Sequence, residues 1–457
     1  MDDLQRVVLA QRRRRPIVCT QYFAVVLDSN AATGQSETCH HVSHAQTFID
    51  LPVFAVDAHA HSGLSSAEGL VLQLRGALVL RDMAAGAAPS SIPVARIDSG
   101  ALVSNYHEAR RLVGDRVAVM AMVKSDAYGH GALGCAAALA RAGCSVFGVA
   151  TWVEAAELAP LLAAAAPLAR LLLFGGILPS DAEAVVETGA EVVTQELAVV
   201  EALAARGRAT GREVSVHVKI DTGMHRLGID PGDAVAFVRR IGALQGVRAV
   251  AICSHFAQAE SVTGEVTAGQ LEGLLRADRA LREAGLGLPR HMANSAAIMT
   301  RKEAHLDMVR PGIMLYGIHP DAGLRGRAVL RPVMRLQACV VRVADIAAGE
   351  GVSYGHTYRT AAVTRVATVR CGYADGYSRH LSNLGTVLVE GREAAVLGRV
   401  CMDHTMIDVT GIEGVRVGSV ATMWGGGICV EDMAARAGTI AYELVARVGK
   451  RVQRIME

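Results

Sequence analysis

The stretch VAVMAMVKSDAYGHGALGCAAALARAG (117–143) combines the parts from which the fold can be deduced. Residues 117–123 form a short apolar run without alternation, which is typical of a strand buried on both faces. A polar, glycine-containing loop (124–131) follows, and the Ala- and Leu-rich run at 133–143 has the spacing of an amphipathic helix. The stretch therefore predicts a strand, a loop and a helix in that order.

The same pattern recurs along the chain. Seven further strand candidates lie at 145–150, 170–176, 191–195, 215–220, 247–255, 289–294 and 306–310. Helical patterns separate them, such as the long run at 269–285. Eight such units within the region 93–320 predict a closed (β/α)8 TIM barrel. An open doubly wound sheet is the alternative, but no GxGxxG motif follows a first strand.

Two regions of different texture flank the predicted barrel. In the region 321–457, Val-rich runs alternate with glycine turns, which predicts a mainly β C-terminal domain. The region 1–92 is rich in histidine and ends in a flexible run at 84–91, so we expect an N-terminal extension that is disordered or translated from a misassigned start. Its HxH motif (56–63) is a weak pattern without later ligands of matching spacing, and no metal site is predicted.

Composition excludes several classes of protein. The chain has 457 residues, 51% of them apolar, which is enough for a sizeable core and unlike a disordered chain. The net charge is only +2 and no basic stripe is present, so nucleic acid is not an expected partner. The nine cysteines are scattered, with neither a disulfide framework nor a zinc-spaced CxxC motif.

No segment has the character of a membrane span. The most apolar stretch (158–178) is interrupted by Pro160, Pro167 and Arg170, so it falls short of about 20 uninterrupted apolar residues. The N-terminus also lacks a convincing apolar core of a signal peptide. We therefore expect a cytoplasmic protein that does not associate with membranes.

Reactive side chains fall at the C-terminal ends of the predicted strands, where barrel enzymes carry their active sites. They are Lys124, Lys219, His255, the Asn294-Ser295 pair and Arg310. The chain has only two other lysines, and both lie in charged runs. A buried lysine can form a Schiff base, because desolvation lowers its pKa. A helix start can bind phosphate, so amine, phosphate site and arginine together indicate pyridoxal 5'-phosphate (PLP).

At these residues the sequence resembles the alanine racemases, which are fold-type III PLP enzymes. The matching motifs occur in the family's order over 93–457. In the barrel region they are AVMAMVKSDAYGHG (118–131), KIDTGMHRLGI (219–229), SHFAQAE (254–260), HMANSAA (291–297) and MVRPGIMLYG (308–317). In the β region they are VSYGHTY (352–358), GYADGYSR (372–379), GRVCMDHTMIDVT (398–410) and TIAYELVARVGKRVQR (439–454).

The resemblance implies two catalytic bases. Lys124 matches the lysine that binds PLP and acts on one face of the substrate, and Tyr354 matches the base on the opposite face. Racemisation needs both, since a single base would return the proton to the face from which it came. His255 and Arg310 match the residues that support the tyrosine, and Arg310 also matches the arginine that faces the pyridine nitrogen.

The remaining implied roles concern binding. The phosphate set is matched by Tyr128, Ser295, Gly312, Ile313 and Tyr442. Substrate contacts are matched by Arg226, Met402 and Tyr373. Lys219 matches a lysine that some family members carry as a carbamate; the alternative is a plain lysine paired with an acid such as Asp221.

The resemblance further implies a homodimer with composite active sites, because the family's counterparts of Tyr354, Tyr373 and Met402 reach the site from the other subunit. The expected reaction interconverts L- and D-alanine and supplies D-alanine for peptidoglycan. Three alternatives remain open: a broad-specificity racemase acting on serine, lysine or arginine, a non-catalytic PLP-binding protein, and a fold-type III decarboxylase.

Overall fold

The structure consists of a short hairpin, a barrel and a β domain. The computed structural model describes residues 92–261 and 264–457, together with the backbone of a hairpin formed by β1 (Ile17–Cys19) and β2 (Phe23–Val25). The hairpin belongs to a compact unit of its own. The HxH motif lies outside the described residues, as does nearly all of the predicted extension.

Eight parallel strands close into a barrel in which each strand pairs with its neighbours in the sequence. Another strand, β3 (Val94–Ile97), lies between the hairpin and the barrel strands in the sequence. The barrel strands are β4 (Ala118–Met122), β5 (Val146–Val149), β6 (Arg170–Leu173), β7 (Glu191–Thr194), β8 (Val214–Lys219), β9 (Val247–Cys253), β10 (Arg290–Asn294) and β11 (Met308–Arg310). All eight predicted strands are confirmed, and the open-sheet alternative is excluded.

Helices follow the barrel strands. They are α1 (Ser99–Val113) before β4, then α2 (Ala132–Arg141), α3 (Trp152–Ala165), α4 (Ala182–Thr188), α5 (Leu197–Thr210), α6 (Ala234–Gly242), α7 (Glu265–Glu283) and α8 (Ser295–Thr300). Local chemistry sets several of their starts. Thr151 and Glu154 form a reciprocal capping box at α3, and the Asn294 side chain accepts a hydrogen bond from Ala297 N–H at α8.

The β domain is built on one long strand, β12 (Met334–Ile346), with mainly antiparallel neighbours. The other strands are β13 (Gly351–Val352), β14 (Tyr358–Arg359), β15 (Thr364–Val369), β16 (Thr386–Val389), β17 (Arg392–Ala395), β18 (Thr405–Asp408), β19 (Val420–Trp424) and β20 (Gln453–Met456). Two short helices, α9 (Val430–Ala437) and α10 (Ala441–Ala446), precede β20. The predicted fold class, a barrel followed by a mainly β domain, is confirmed.

One strand from the start of the barrel region belongs to the sheet of the β domain. β3 pairs antiparallel with β12 and parallel with β20, so the strand that precedes the barrel lies beside the strand near the end of the chain. The segment that precedes the barrel strands is therefore held in the same sheet as segments that follow them. Within residues 92–261 and 264–457, no helix combines the length and the apolar character needed to cross a membrane.

Candidate active site

A cavity of about 400 Å³ opens at the C-terminal ends of the barrel strands. It collects ten of the thirteen site residues predicted from the sequence. They are Lys124, Tyr128, Lys219, Arg226, His255, Ser295, Arg310, Gly312, Ile313 and Tyr442. Four of these are cations, and the side chains that line this cavity within the described part of the chain include no carboxylate. The cavity is therefore suited to an anionic ligand.

A left-handed turn carries Lys124 and Tyr128 into this cavity. The four residues 125–128 have φ between +53° and +54°, a conformation that costs an L-amino acid about 1–2 kcal/mol. Side chains hold the turn in place: Glu154 Oε1 accepts from Ser125 N–H at 2.6 Å, and Asp126 Oδ1 accepts from Ala132 N–H at 2.7 Å. This anchoring offsets the strain and orients both side chains.

Burial lowers the pKa of Lys124, and the nearby positive charge of Arg226 lowers it further. Both effects disfavour the ammonium form, since each penalises a charge that the neutral amine does not carry. The free amine is therefore present at a lower pH than in an exposed lysine. A nucleophile or a base requires that form.

Arg310 is buried, and both terminal nitrogens of its guanidinium donate hydrogen bonds. Its Nη1 donates to His291 Nδ1 at 2.8 Å, and its Nη2 donates to His255 Nδ1 at 3.0 Å and to the carbonyl oxygens of Ser254 and Met292. Burial lowers the pKa of Arg310 to about 10, which still leaves it charged at neutral pH. Because a guanidinium only donates, the Nδ1 atom of His255 is unprotonated. The proton of that ring then sits on Nε2.

Lys219 and Arg226 come from β8 and the loop after it. Burial lowers the pKa of Lys219 to about 8, with Arg310 and Arg226 acting in the same direction. The loop is shaped by Asp221, whose Oδ1 accepts from the backbone N–H groups of Gly223, Met224 and His225. Asp221 is thus occupied by the backbone and by the His225 ring, and no ion pair between Lys219 and Asp221 is present.

Another part of the cavity lining is a close-packed group of residues, here called the cradle, formed by Tyr128, Ser295, Gly312, Ile313 and Tyr442. Ser295 Oγ accepts from Gly312 N–H at 2.9 Å, which links the start of α8 to the segment after β11. A Cβ atom at Gly312 would lie 2.4 Å from Tyr128 Oη, so only glycine allows this approach. The rings of Tyr128 and Tyr442 have centroids 6.2 Å apart. The cradle lines the cavity with three side chains that carry hydroxyl groups, those of Tyr128, Ser295 and Tyr442.

Three predicted site residues do not line this cavity. Tyr354, Tyr373 and Met402 lie in the β domain with side chains that are 68%, 42% and 52% exposed. Tyr354 and Met402 border one surface depression, and Tyr373 borders another. Within the described residues of a single chain, the predicted second base and the predicted lysine are therefore not brought together.

The sequence reasoning missed several residues that shape the site. Phe174 lines the cavity and lies under the Arg310 guanidinium, with 5.5 Å from Cζ to the ring centroid. Glu154 anchors the left-handed turn, and His291 orients Arg310. Phe174 and Glu154 follow strand ends, which is a signal that could have drawn attention to them. His291 lies inside a strand, where only a buried polar residue in an apolar run marks it.

Comparisons with known proteins agree with this architecture. The family models described as "Alanine racemase, N-terminal domain" and "Alanine racemase, C-terminal domain" match residues 97–320 and 333–456. A curated relative, the alanine racemase of Halothermothrix orenii, is 38% identical over 368 residues, which cover 79% of this chain and 95% of the relative.

Solved structures give the same result. The alanine racemase of Streptomyces lavendulae has 36% sequence identity and a TM-score of 0.75, covering 80% of this chain and 97% of that one. The alanine racemase of Bartonella henselae, whose crystal structure is described with covalently bound pyridoxal phosphate, has 29% identity and a TM-score of 0.71, covering 80% and 100%. The matches span both the barrel and the β domain, and the chain therefore belongs to the alanine racemase family.

Proposed function

We propose that the protein interconverts L-alanine and D-alanine with PLP as its cofactor. The observation that carries the proposal is the cavity at the C-terminal barrel end, where Lys124, Lys219, Arg226 and Arg310 converge without a lining carboxylate. An anionic cofactor and a substrate carboxylate both suit such a site. Membership of the family supports the same reaction.

The residues present fit PLP. Tyr128, Ser295, Gly312, Ile313 and Tyr442 form the cradle that would hold the phosphate, and the missing side chain at Gly312 lets the Tyr128 hydroxyl pack against the backbone there. Lys124 would hold the cofactor covalently, since its lowered pKa favours the nucleophilic free amine. When bound, PLP supplies the electron sink that stabilises negative charge at the substrate Cα.

Two bases of this chain would move the proton. The Lys124 amine takes or returns it on one face of the substrate, and the Tyr354 phenol does so on the other. His255 assists Tyr354 in this assignment: its Nδ1 accepts from Arg310, so its Nε2–H is free to donate to the phenolic oxygen. Such a donor stabilises the phenolate and makes tyrosine a usable base.

Arg310 would face the pyridine nitrogen of the cofactor. Since a guanidinium cannot give up a proton at neutral pH, it holds that nitrogen unprotonated. The ring then withdraws electrons less strongly than it would beside an aspartate. We infer that this weaker electron withdrawal favours reprotonation of the substrate Cα over side reactions.

Substrate binding is assigned to Arg226, Met402 and Tyr373, with Arg226 at the cavity and the other two exposed on the β domain. Lys219 is the proposed carbamate site. Its amine, with a pKa of about 8, is partly neutral near physiological pH and can add CO2 with loss of a proton. The resulting anion would offset the charges of Arg226 and Arg310.

The active unit in this proposal is a homodimer. The exposed Tyr354, Tyr373 and Met402 of one protomer would complete the cavity of its partner, which would explain why three predicted site residues lie outside the cavity of their own chain. The D-alanine product would supply peptidoglycan synthesis, and this role implies a cytoplasmic location.

Racemisation assays test the proposal directly. Purified protein is incubated with L-alanine, with and without added PLP, beside L-serine, L-lysine and L-arginine, and the D-enantiomer is measured by chiral chromatography. We expect PLP-dependent turnover of alanine. Faster turnover of the larger substrates would instead assign a broad-specificity racemase, and no turnover of any substrate with PLP bound would overturn the proposal.

A further inference from the structure

Five polar side chains form a continuous hydrogen-bonded chain through the inside of the barrel. Arg170 and Glu191 lie at the starts of β6 and β7, His217 and His291 lie within β8 and β10, and Arg310 ends β11. This polar column of side chains therefore runs from the N-terminal end of the barrel to the candidate active site. Barrel interiors are usually filled by branched apolar side chains, so this polar column needs an explanation.

Every link in the column is short. Arg170 donates to both Glu191 oxygens at 2.7 Å, and His217 Nε2 lies 2.7 Å from Glu191 Oε2. His217 Nδ1 lies 2.8 Å from His291 Nε2, and His291 Nδ1 accepts from Arg310 Nη1 at 2.8 Å. Both histidines are fully buried, and all four of their ring nitrogens have a partner. A single unmatched donor here would cost about 1–3 kcal/mol.

The position of each proton follows from the two ends of the column. Arg310 can only donate, so His291 Nδ1 accepts and the proton of His291 lies on Nε2. That proton is donated to His217 Nδ1, which leaves the proton of His217 on Nε2. This last N–H is donated to the Glu191 carboxylate. The two tautomers are therefore coupled, and the three donors between Arg310 and Glu191 all point away from the active site.

The charge state of each group agrees with this arrangement. Burial lowers the pKa of both histidines, and in His217 this outweighs the opposing effect of the Glu191 carboxylate. Arg310 lowers both pKa values further, which favours the neutral rings. Burial alone would raise the pKa of Glu191, but hydrogen bonds from Arg170 and His217 outweigh it and lower the pKa to about 2. The acceptor at the far end therefore stays ionised at neutral pH.

We propose that Glu191 is a positioning residue for Arg310 and acts across the barrel through His217 and His291. Without an acceptor at position 191, the buried His217 N–H would have no partner, and the ring would move its proton to Nδ1. His291 would then have to move its own proton to Nδ1, facing the Arg310 guanidinium. Two donors would oppose each other, and Arg310 would leave its present orientation.

The functional consequence rests on the proposed function, because it requires that Arg310 face the cofactor ring. The tautomers themselves do not depend on that assignment. This separation allows the column to be tested on its own, before any activity is measured.

Nitrogen-15 NMR of histidine-labelled full-length protein tests the column, with the signals assigned by difference from His217→Gln. In the unmodified protein we expect both rings to carry the proton on Nε2. Glu191→Leu should move the proton to Nδ1 in at least one of them, whereas Glu191→Gln, which keeps an acceptor oxygen, should not. Glu213→Leu is the matched control, because it removes another Arg–Glu pair (Arg248 to Glu213, 2.9 Å) that contacts no histidine.

Two NMR results would overturn the proposal: a proton on Nδ1 of either ring in the unmodified protein, or unchanged tautomers in Glu191→Leu. The first does not depend on Glu191→Leu, so it stands even if that variant fails to fold. Among the variants, kcat for L-alanine should fall about tenfold or more in Glu191→Leu, with KM little changed, and should stay within about threefold in Glu191→Gln and Glu213→Leu.

The combination of both measurements separates the two proposals. Altered tautomers with an unaltered kcat would reject the positioning role of Glu191 while leaving the racemase assignment intact. An unmodified protein that has the expected tautomers but no racemase activity would count against the proposed function instead, and not against the column.

Discussion

At the scale of single residues, the chemistry depends on shifting the pKa values of weak bases. A phenol acts as a base at neutral pH only if a donor beside its oxygen stabilises the phenolate, so the proposed role of Tyr354 needs such a donor. His255 is the candidate donor, because its Nδ1 is occupied by Arg310 and its proton must lie on Nε2. Arg310 thus serves both the tyrosine and, in the proposed function, the cofactor ring.

Tyr354→Phe should abolish racemisation without loss of PLP, because it removes only the proposed second base. We expect kcat for L-alanine to fall by about 10²–10⁴, the usual contribution of general acid–base catalysis. The visible absorbance of bound PLP should be retained. Tyr358→Phe removes a hydroxyl four positions away, in β14, and should keep normal activity. A Tyr354→Phe protein that retains most of its activity would reject the role of Tyr354.

Lys219 should form a carbamate whose amount rises with pH. Its pKa is about 8, so the unreactive ammonium predominates below that value and the neutral amine predominates above it. At a fixed pressure of ¹³C-labelled CO2, a carbamate signal in the ¹³C NMR spectrum should grow as the pH increases through about 8. Lys219→Arg should remove the signal, and Lys450→Arg, at an exposed lysine, should not. A signal that survives Lys219→Arg belongs to another amine.

At the scale of elements, the left-handed turn at 125–128 is the unusual feature of the barrel. The chain leaves β4 in a conformation that L-residues rarely adopt, and it is held there from both sides. Glu154 at the start of α3 accepts from Ser125 N–H, while Arg454 Nε of the β domain donates to Gly129 O at 3.1 Å. The position of Lys124 is therefore set jointly by the barrel and the β domain.

Gly129→Ala should destabilise the protein by more than the strain of placing alanine at a positive φ, because the added Cβ atom also meets a steric clash. Gly129 has φ of +81°, and a Cβ atom there would lie 2.0 Å from the carbonyl oxygen of Val445. Gly143 has a similar φ of +88° with nothing within 4 Å, so Gly143→Ala measures the backbone strain by itself. Overpacking adds about 1–3 kcal/mol, which should lower the Tm of Gly129→Ala by about 5 °C relative to Gly143→Ala. Differential scanning fluorimetry measures the Tm of both variants. Equal Tm values would show that α10 can shift to accommodate the added Cβ atom without loss of stability.

At the scale of the whole molecule, the proposed function assigns the exposed residues of the β domain to the active site of a partner protomer. Tyr354 and Met402 are large side chains, more than half exposed and remote from the cavity of their own chain. A chemistry that needs Lys124 and Tyr354 on opposite faces of one substrate can then proceed only between two protomers. Activity and assembly are therefore coupled in the proposed function.

Mixing two inactive variants should restore activity if the sites are shared. Lys124→Ala and Tyr354→Phe are each expected to be inactive as homodimers. After reversible dissociation and mixing, half of the dimers are mixed, and each mixed dimer has one site with both bases intact and one with neither. We expect about a quarter of the normal activity in an L-alanine assay. Sites contained within one chain would each carry one defect, and the mixture would stay inactive.

The strands and helices of the barrel could be read from the sequence because their signals are local. Buried strands such as 146–149 and 170–173 are short, mostly apolar runs, and the amphipathic runs between the strands have helical spacing. Their ends identified Lys124, His255 and Arg310 as site candidates, since the C-terminal ends of parallel strands meet at one face. By contrast, β3 is a four-residue strand whose pairing partners lie more than 200 residues away, and no local pattern reveals such pairing.

By itself, the sequence determined the barrel and the β domain and predicted a set of reactive residues, because these follow from residue types and their spacing. Only the tertiary structure decided that ten predicted residues share a cavity while Tyr354, Tyr373 and Met402 do not. It also decided that His217 and His291 link Glu191 to Arg310. The sequence around a histidine inside an apolar strand does not indicate which residue it contacts. Its tautomer and the direction of its hydrogen bonds depend on distances between strands, and only closure of the barrel establishes those distances.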